Sequence, residues 1–291
     1  AFAAHDLRVC WATAEPRGAP AGAAALVTVK QRVDAEVLDR FPALRMVAVA
    51  FTGYDHVDLE ECRRRGVAVA NVPGYSTDGV AELVFGLIFA LLRHIPAAHQ
   101  HVRAGNWAWQ PGNELSGKCL GVVGTGQIGV RVSEIARAFK VSKVIGYDQR
   151  RNPRFAEAGG EYAPSLATLF LEADVLVVAC ALTKETRGLI GERLLKLLRP
   201  DSVIINCARG AILDQAALTR MLVEGRFRAG LDVYEVEPLP ADHALRGVPE
   251  GRLVTTPHLA YKCDESLMRR MDLTLANILA FMADSPQNIV T

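Results

Sequence analysis

The sequence is short of the features that mark several large protein classes. Its 33 basic and 32 acidic side chains leave a formal net charge of only +1. That balance implies no polyanion and no membrane surface, so neither nucleic acid nor lipid is an expected partner. The six cysteines (Cys10, Cys62, Cys119, Cys180, Cys207, Cys263) include no C-x-x-C pair. Such scattered use suits a reducing compartment rather than a disulfide framework, and a cytoplasmic location is the expectation. No signal-peptide pattern is visible. The longest apolar run, residues 83–92, is too short to span a bilayer, which needs about 20 residues. Neither G-x-S-x-G nor H-E-x-x-H occurs. His94, His99 and His101 lie close together, but no acid or cysteine completes a metal-binding spacing, so no metal is expected. No internal repeat or low-complexity segment stands out.

Half of the 291 residues are apolar, enough for a sizeable core in two modest domains or one large one. The most informative stretch is Gly121-Val122-Val123-Gly124-Thr125-Gly126-Gln127-Ile128-Gly129. Residues 120–123 read as a buried strand, and Gly124, Gly126 and Gly129 fit G-x-G-x-x-G. Residues 130–139 follow with helical periodicity. A second apolar strand over 144–147 ends in Asp148, about 20 residues past the glycines. In this order Gly124 permits the tight turn and Gly126 lets a pyrophosphate approach the backbone. Gly129 lets the helix pack on the strand. The free N–H groups of the helix start face the phosphate. Asp148 can accept hydrogen bonds from both hydroxyls of an adenine ribose. An ordinary tight strand–helix turn would need only the glycines, not the flanking strands and Asp148 in register. The stretch therefore predicts a dinucleotide site. It predicts NAD over NADP, because Asp148 repels a ribose 2′-phosphate; Arg150 and Arg151 are the counter-argument.

Residues 1–93 read as an α/β unit of their own. Strands are predicted over 7–11, 25–29, 46–50 and 67–70, with helices over 34–40 and 58–65. Residues 13–24, rich in Pro, Gly and Ala, read as a loop. Thr52 and Gly53 follow a strand at its C-terminal end, where open α/β sheets place ligands. A long apolar helix from Thr77 or Asp78 to Ile95 is expected to be buried between layers and stopped by Pro96. Trp107 and Trp109 are read as packed under the loop before Pro111. From residue 96 to 260 strands and helices alternate. Strands are expected over 175–179, 202–206, 230–233 and 253–256, with helices over 165–172, 192–198 and 215–224. Five or six strands with right-handed crossovers give a doubly wound parallel sheet. A last helix over 265–282 is expected to pack on the first domain.

Three polar residues follow strands of the later sheet. Arg209 lies in Asn206-Cys207-Ala208-Arg209-Gly210, Glu237 closes the segment from Asp232 to Pro238, and His258 lies in Thr256-Pro257-His258-Leu259-Ala260. Such a set can converge on one crevice. Arg209 can hold a carboxylate bidentately. His258 can exchange a proton near neutral pH. Glu237 can orient His258 and favour its charged form. Each also has a plain reading: a surface ion pair for Arg209, a turn cap for His258, a solvated loop acid for Glu237.

Taken together, these segments resemble the D-isomer-specific 2-hydroxyacid dehydrogenases, of the glycerate dehydrogenase and hydroxypyruvate or glyoxylate reductase kind. The matching residues are Gly53-Tyr54-Asp55-His56-Val57-Asp58, Asn71-Val72-Pro73-Gly74 with Val80-Ala81-Glu82, the glycine turn, Asn206-Cys207-Ala208-Arg209-Gly210, Gly230-Leu231-Asp232-Val233 with Glu237-Pro238, and Thr256-Pro257-His258. The resemblance covers nearly the whole chain. It implies an α/β protein with two doubly wound parallel-sheet domains, a nucleotide-binding Rossmann domain (96–261) inserted in a flavodoxin-like substrate domain (1–95 and 262–291). It implies Arg209, Glu237 and His258 as the catalytic set. It implies Thr52 and Gly53, with Arg209 and His258, as substrate contacts. Cofactor contacts are implied at Gly124, Gly126, Gln127, Ile128, Gly129, Asp148, Cys207, Ala208, Asp232 and Ala260. The implied activity is reversible NADH-dependent reduction of a small 2-keto acid to a D-2-hydroxy acid by a homodimer.

Three segments depart from the usual pattern of that family. The step from Arg209 to Glu237 is one residue shorter than its commonest spacing. Ala179-Cys180-Ala181-Leu182-Thr183 lacks the His and Pro often found there. Tyr261-Lys262-Cys263 is not the commonest continuation after His258, and it lies where substrate choice is expected. Phosphite or formate oxidation on the same fold is a second enzyme reading; Glu237 argues against formate, which needs no proton-donating histidine. A nucleotide-sensing, corepressor-like binding protein is the reading from another class.

Overall fold

Alternating short apolar runs and amphipathic stretches dictate an α/β chain, and the computed structural model has that character over the described residues, 22–291. The strand predicted over 7–11, most of the loop over 13–24, His5 and Cys10 lie outside the described residues. By internal packing the chain divides into two compact units, one formed from the described part of residues 1–76 with Lys262–Thr291, the other from Thr77–Tyr261.

The first unit holds a parallel sheet of three strands in the order β1-β2-β3: β1 Ala25–Thr28, β2 Met46–Val49 and β3 Ala68–Ala70. Helix α1 (Ala35–Asp39) and helix α2 (Leu59–Arg64) start where the sequence supplies caps. Asp34 accepts a hydrogen bond from Val37 N and Asp58 accepts one from Glu61 N, so an otherwise orphaned N–H is satisfied at each helix start. The closing helix of the chain packs on β2, with its Ile278 against Met46, Ala48 and Ala70.

The second unit begins with α3 (Thr77–Leu92), which breaks at Arg93 and His94 before α4 (Ile95–Arg103). Here the structure corrects the expectation that Pro96 stops one long helix. His94 takes a left-handed backbone, φ 54°, and Pro96 stands in the first turn of α4. Proline suits that position because the N–H it lacks would have no helical partner there. The sequence placed the domain boundary at residue 95, but α3 packs within the second unit, on β8, β9 and the helix after the glycine turn. Gly230 allows the close approach, since a Cβ there would sit 3.1 Å from that of Leu87. The buried Arg228 guanidinium also ties the end of α3, donating to Leu91 O at 3.0 Å and to Asp201 O at 3.1 Å.

The large sheet has seven parallel strands in the order β10-β9-β8-β7-β4-β5-β6. They are β4 Cys119–Val123, β5 Lys143–Tyr147, β6 Glu161–Tyr162, β7 Val175–Val178, β8 Val203–Asn206, β9 Arg228–Leu231 and β10 Leu253–Thr255. The crossovers are α5 Gln127–Ala138, α6 Pro153–Glu157, α7 Leu166–Glu172, α8 Glu192–Leu195 and α9 Gln215–Val223; α10 (Asp264–Met282) belongs to the first unit. The short pair α6 and β6 was not expected from the sequence, which also ran α8 three residues too far. Two apolar clusters cover the two faces, one built on α3 and α5, the other on α7 and α9. The strand order reverses between β4 and β7. In such sheets a crevice opens outside the strand ends at that point. Among the described residues no single helix is long and apolar enough to cross a membrane.

Candidate functional site

Strand β4 runs directly into the glycine turn. Gly124 has φ +97°, and a Cβ there would lie 2.4 Å from Cys180 N at the end of β7. A Cβ on Gly129 would lie 2.2 Å from Gly124 O. The chain itself therefore demands the first and third glycines. Gly126 differs: its φ is −69° and a Cβ would meet nothing within 4 Å. Neither conformation nor packing requires glycine at 126, and the space beside it is open. Gly126 also begins α5 with no side-chain cap over the first N–H groups. Open space against exposed backbone at an uncapped helix start fits a dinucleotide phosphate. Gln127 and Ile128 form the first turn of α5.

Asp148 follows β5 and leans back over the turn. Its Oδ2 accepts from Thr125 N at 2.8 Å and its Oδ1 from Arg150 N at 3.3 Å. The carboxylate is thus fixed over the turn, and its Oδ2 takes a second contact from Thr125 Oγ1 at 3.4 Å. Three residues not singled out in the sequence complete this end. Asn152 Nδ2 donates to Thr125 O at 2.7 Å, and Thr125 Oγ1 lies 2.8 Å from the Tyr162 hydroxyl. The Arg151 guanidinium lies over the Tyr162 ring, 5.2 Å from its centroid. Burial pushes the Cys180 thiol, across the turn, up to about 11.

The second group of residues follows β8, β9 and β10, three neighbouring strands. After β8 the Asn206 side chain folds over its own loop. Its Oδ1 accepts from Ala208 N and its Nδ2 donates to Arg209 O, both at 3.0 Å. Arg209 sits on extended backbone at the end of that loop and donates from Nη1 to Ala208 O at 2.8 Å. Burial pushes the Cys207 thiol well above its ordinary range.

After β9 and β10, one carboxylate organises both loops. Asp232 is fully buried and accepts from Thr256 Oγ1 at 2.5 Å, Leu259 N at 2.9 Å and Ala260 N at 3.0 Å, while its carbonyl accepts from His258 N at 2.8 Å. Asp232 and Ala260, expected as cofactor contacts, are bonded to each other and buried; what the structure shows for both is placement of the His258 loop. The Tyr234 hydroxyl donates to Leu231 O at 3.1 Å and Thr256 O at 3.0 Å, and burial pushes its pKa up to about 12.

His258 stands in the left-handed region, φ 52°. Its Nδ1 is 2.6 Å from Glu237 Oε2, and Glu237 Oε1 accepts from Tyr234 N at 3.1 Å. The contact orients the imidazole through its Nδ1 edge. The shortened step from Arg209 therefore does not displace Glu237. Glu235 is exposed, and its N–H donates to Gln215 Oε1 at 2.9 Å. The Tyr261 ring meets His258 edge-on, with centroids 5.8 Å apart and planes at 84°. Thr52 and Gly53 belong to the first unit, just past β2. Trp107 is not packed under its loop as expected, being 88% exposed, while Trp109 rests on the His101 ring at 4.8 Å. Among the described residues no cluster of His, Cys, Asp and Glu could hold a metal ion.

Known proteins agree with this arrangement. Residues 85–260 match the profile described as D-isomer specific 2-hydroxyacid dehydrogenase, NAD binding domain. The chain is 38% identical to a glyoxylate reductase of Thermococcus litoralis over 91% of its own length and 83% of that protein. It is 36% identical to a glyoxylate/hydroxypyruvate reductase of Arabidopsis thaliana, over 93% of this chain and 83% of the relative. A solved D-lactate dehydrogenase from Aquifex aeolicus, in complex with NAD and lactic acid, superposes with a TM-score of 0.86 at 30% identity, covering 94% of this chain and 90% of that one. The chain therefore belongs to the D-isomer-specific 2-hydroxyacid dehydrogenases, and its second unit carries their NAD-binding domain.

Proposed function

We propose that the protein reduces a small 2-keto acid of the glyoxylate or hydroxypyruvate type to the D-2-hydroxy acid, with NADH as reductant. The observation that carries this reading is the 2.6 Å contact between His258 Nδ1 and Glu237 Oε2 at the ends of neighbouring strands. A histidine so held donates a proton at a fixed place, which ketone reduction needs.

In this reading the Arg209 guanidinium binds the substrate carboxylate through its planar fork and stabilises charge growing on the keto oxygen. In the first unit, backbone N–H groups at Thr52 and Gly53 are the proposed contacts to a substrate carboxylate. His258 Nε2 gives that oxygen its proton. Glu237 holds the imidazole in one orientation through the contact at Nδ1. NADH, when bound, supplies the hydride. Gly124, Gly126, Gln127, Ile128, Gly129 and Asp148 hold it, with Cys207 and Ala208 bordering the same strand ends. Asp148 favours NAD over NADP, because its fixed carboxylate repels a 2′-phosphate.

The first unit is assigned to the substrate and the second to the dinucleotide. A homodimer is proposed, supported by the exposed Ile95, Val102 and Trp107 on and after α4. A reducing, cytoplasmic setting is supported by the free cysteines Cys62, Cys119, Cys180, Cys207 and Cys263. The test is NADH consumption with glyoxylate, hydroxypyruvate and pyruvate, and NAD reduction with formate and phosphite. Turnover of a keto acid supports the reading. Oxidation of phosphite alone replaces the substrate class, and NADH binding without any turnover replaces the enzyme with a sensor.

A further inference from the structure

Asparagine suits neither a buried position nor a helix interior, because its amide competes with the backbone and is costly to desolvate. The first unit nevertheless buries two, Asn277 on α10 at 1% exposure and Asn71 just after β3 at 8%. Asn277 Nδ2 donates to Asn71 O at 2.8 Å, and its Oδ1 accepts from Asn288 Nδ2 at 2.8 Å. Asn71 Nδ2 donates to Thr52 O at 2.8 Å, and Thr52 Oγ1 donates to Val72 O at 2.9 Å. Asn71 and Asn277 each donate to a backbone carbonyl, which can only accept, so neither amide can be turned over. Backbone pairing reinforces the chain of amides. Ala70 bridges Ile289 in antiparallel fashion, Asn71 N donates to Asn288 O at 3.1 Å, and Val290 N donates to Val69 O at 2.8 Å. Asn288 itself has φ 56°, a conformation asparagine tolerates.

We infer that Asn288, Asn277 and Asn71 are positioning residues for the substrate reaction, a relay of amides that fixes the carbonyl of Thr52. The same peptide unit carries the N–H of Gly53, so fixing the carbonyl aims that N–H. The inference rests on the reading that Thr52 and Gly53 receive the substrate carboxylate. The relay then sets substrate affinity from a distance while touching neither substrate nor cofactor. Its members come from segments far apart in the chain, 206 residues between Asn71 and Asn277.

The test uses the intact protein with NADH and glyoxylate. Asn71→Ala and Asn277→Ala should each raise KM for glyoxylate about 10-fold, the equivalent of one lost hydrogen bond. kcat and NADH affinity should hold, since binding to ground and transition state weakens equally. Hydrogen exchange at residues 51–56 should quicken in the same variants. Asn288→Gly keeps the left-handed backbone and removes only the amide, so it should act in the same direction and carries the test should Asn277→Ala fail to fold. Ile278→Ala, beside Asn277 and 6% exposed, should lower Tm with KM unchanged. Gly53→Pro, which removes the aimed N–H, separates the two claims. If Gly53→Pro raises KM while the asparagine variants lower only Tm, the relay is overturned and the carboxylate reading stands. If Gly53→Pro leaves KM unchanged, the carboxylate reading fails and takes the relay's function with it. A raised KM in all of them supports both.

Discussion

A Cβ on Gly210 would lie 1.9 Å from the carbonyl carbon of Tyr234. The loop that carries Arg209 thus crosses the loop that leads to Glu237 backbone against backbone, and no side chain fits between. Gly210→Ala should force the loops apart and destabilise the protein by about 1–3 kcal/mol, the usual cost of overpacking. Calorimetry should show Tm lower by about 2–10 °C for a chain of this size, with keto-acid turnover falling further than stability alone explains. An unchanged Tm would mean the crossing is looser than the geometry says.

Glu237→Gln tests the partner of His258. The substitution replaces the charged acceptor beside Nδ1 with a neutral amide, a weaker partner, so the imidazole is held less firmly and kcat for keto-acid reduction should fall while KM stays close to wild type. His258→Ala should cost roughly 10²–10⁴-fold in both directions. Steady-state kinetics check this, and an unchanged kcat in Glu237→Gln with substrate binding intact would reject the pairing.

Arg209→Lys keeps the charge and loses the planar fork. KM for the keto acid should rise and kcat should fall, while NADH affinity and Tm stay close to wild type. Steady-state kinetics beside a fluorescence titration of NADH separates this outcome from a structural ion pair, whose loss would lower Tm instead.

Gly126→Ala distinguishes a glycine kept for a ligand from one kept for the fold. The added Cβ meets no protein atom within 4 Å and φ is −69°. Tm should be unchanged or slightly raised, because alanine restricts the unfolded chain. NADH affinity should fall by about 10-fold or more, as the methyl enters the space a phosphate needs. A large fall in Tm with NADH affinity retained would assign Gly126 to folding.

Burial holds the Cys119 and Cys180 thiols at about 11. Only the thiolate attacks an alkylating reagent, so both should resist iodoacetamide at pH 7.5. Their labelling in the folded protein should climb only as pH passes 10. Peptide mapping after timed alkylation checks it; rapid labelling of Cys180 at neutral pH would show that the loop after β7 opens to solvent.

What could be read from the sequence was what short spans of chain decide. Asp34, Asp58 and Ser165 cap the helices that follow them because a cap and its N–H lie within three residues. The spacing of Gly124, Gly126 and Gly129 specified its turn for the same reason. The long apolar stretch announced a buried helix, yet its break at His94 and the start at Pro96 went unread. Proline disfavours a helix interior and favours a first turn, and pattern alone does not say which it occupies.

Other features were decided only when distant segments met. Nothing local brings Glu237 beside His258; that contact follows from the parallel pairing of β9 and β10. Nothing local shows that the Asp232 carboxylate will take its donors from Thr256, Leu259 and Ala260. Arg228 is buried against a carbonyl 137 residues away, a partner no local pattern names. Asn277 and Asn288 carried no signal, and Asn71 entered only within a matching segment, since an amide has no periodicity and its partner is fixed by topology. Local propensity and spacing act over a turn or a strand, whereas a buried polar group must find its partner wherever the folded backbone brings one within about 3 Å.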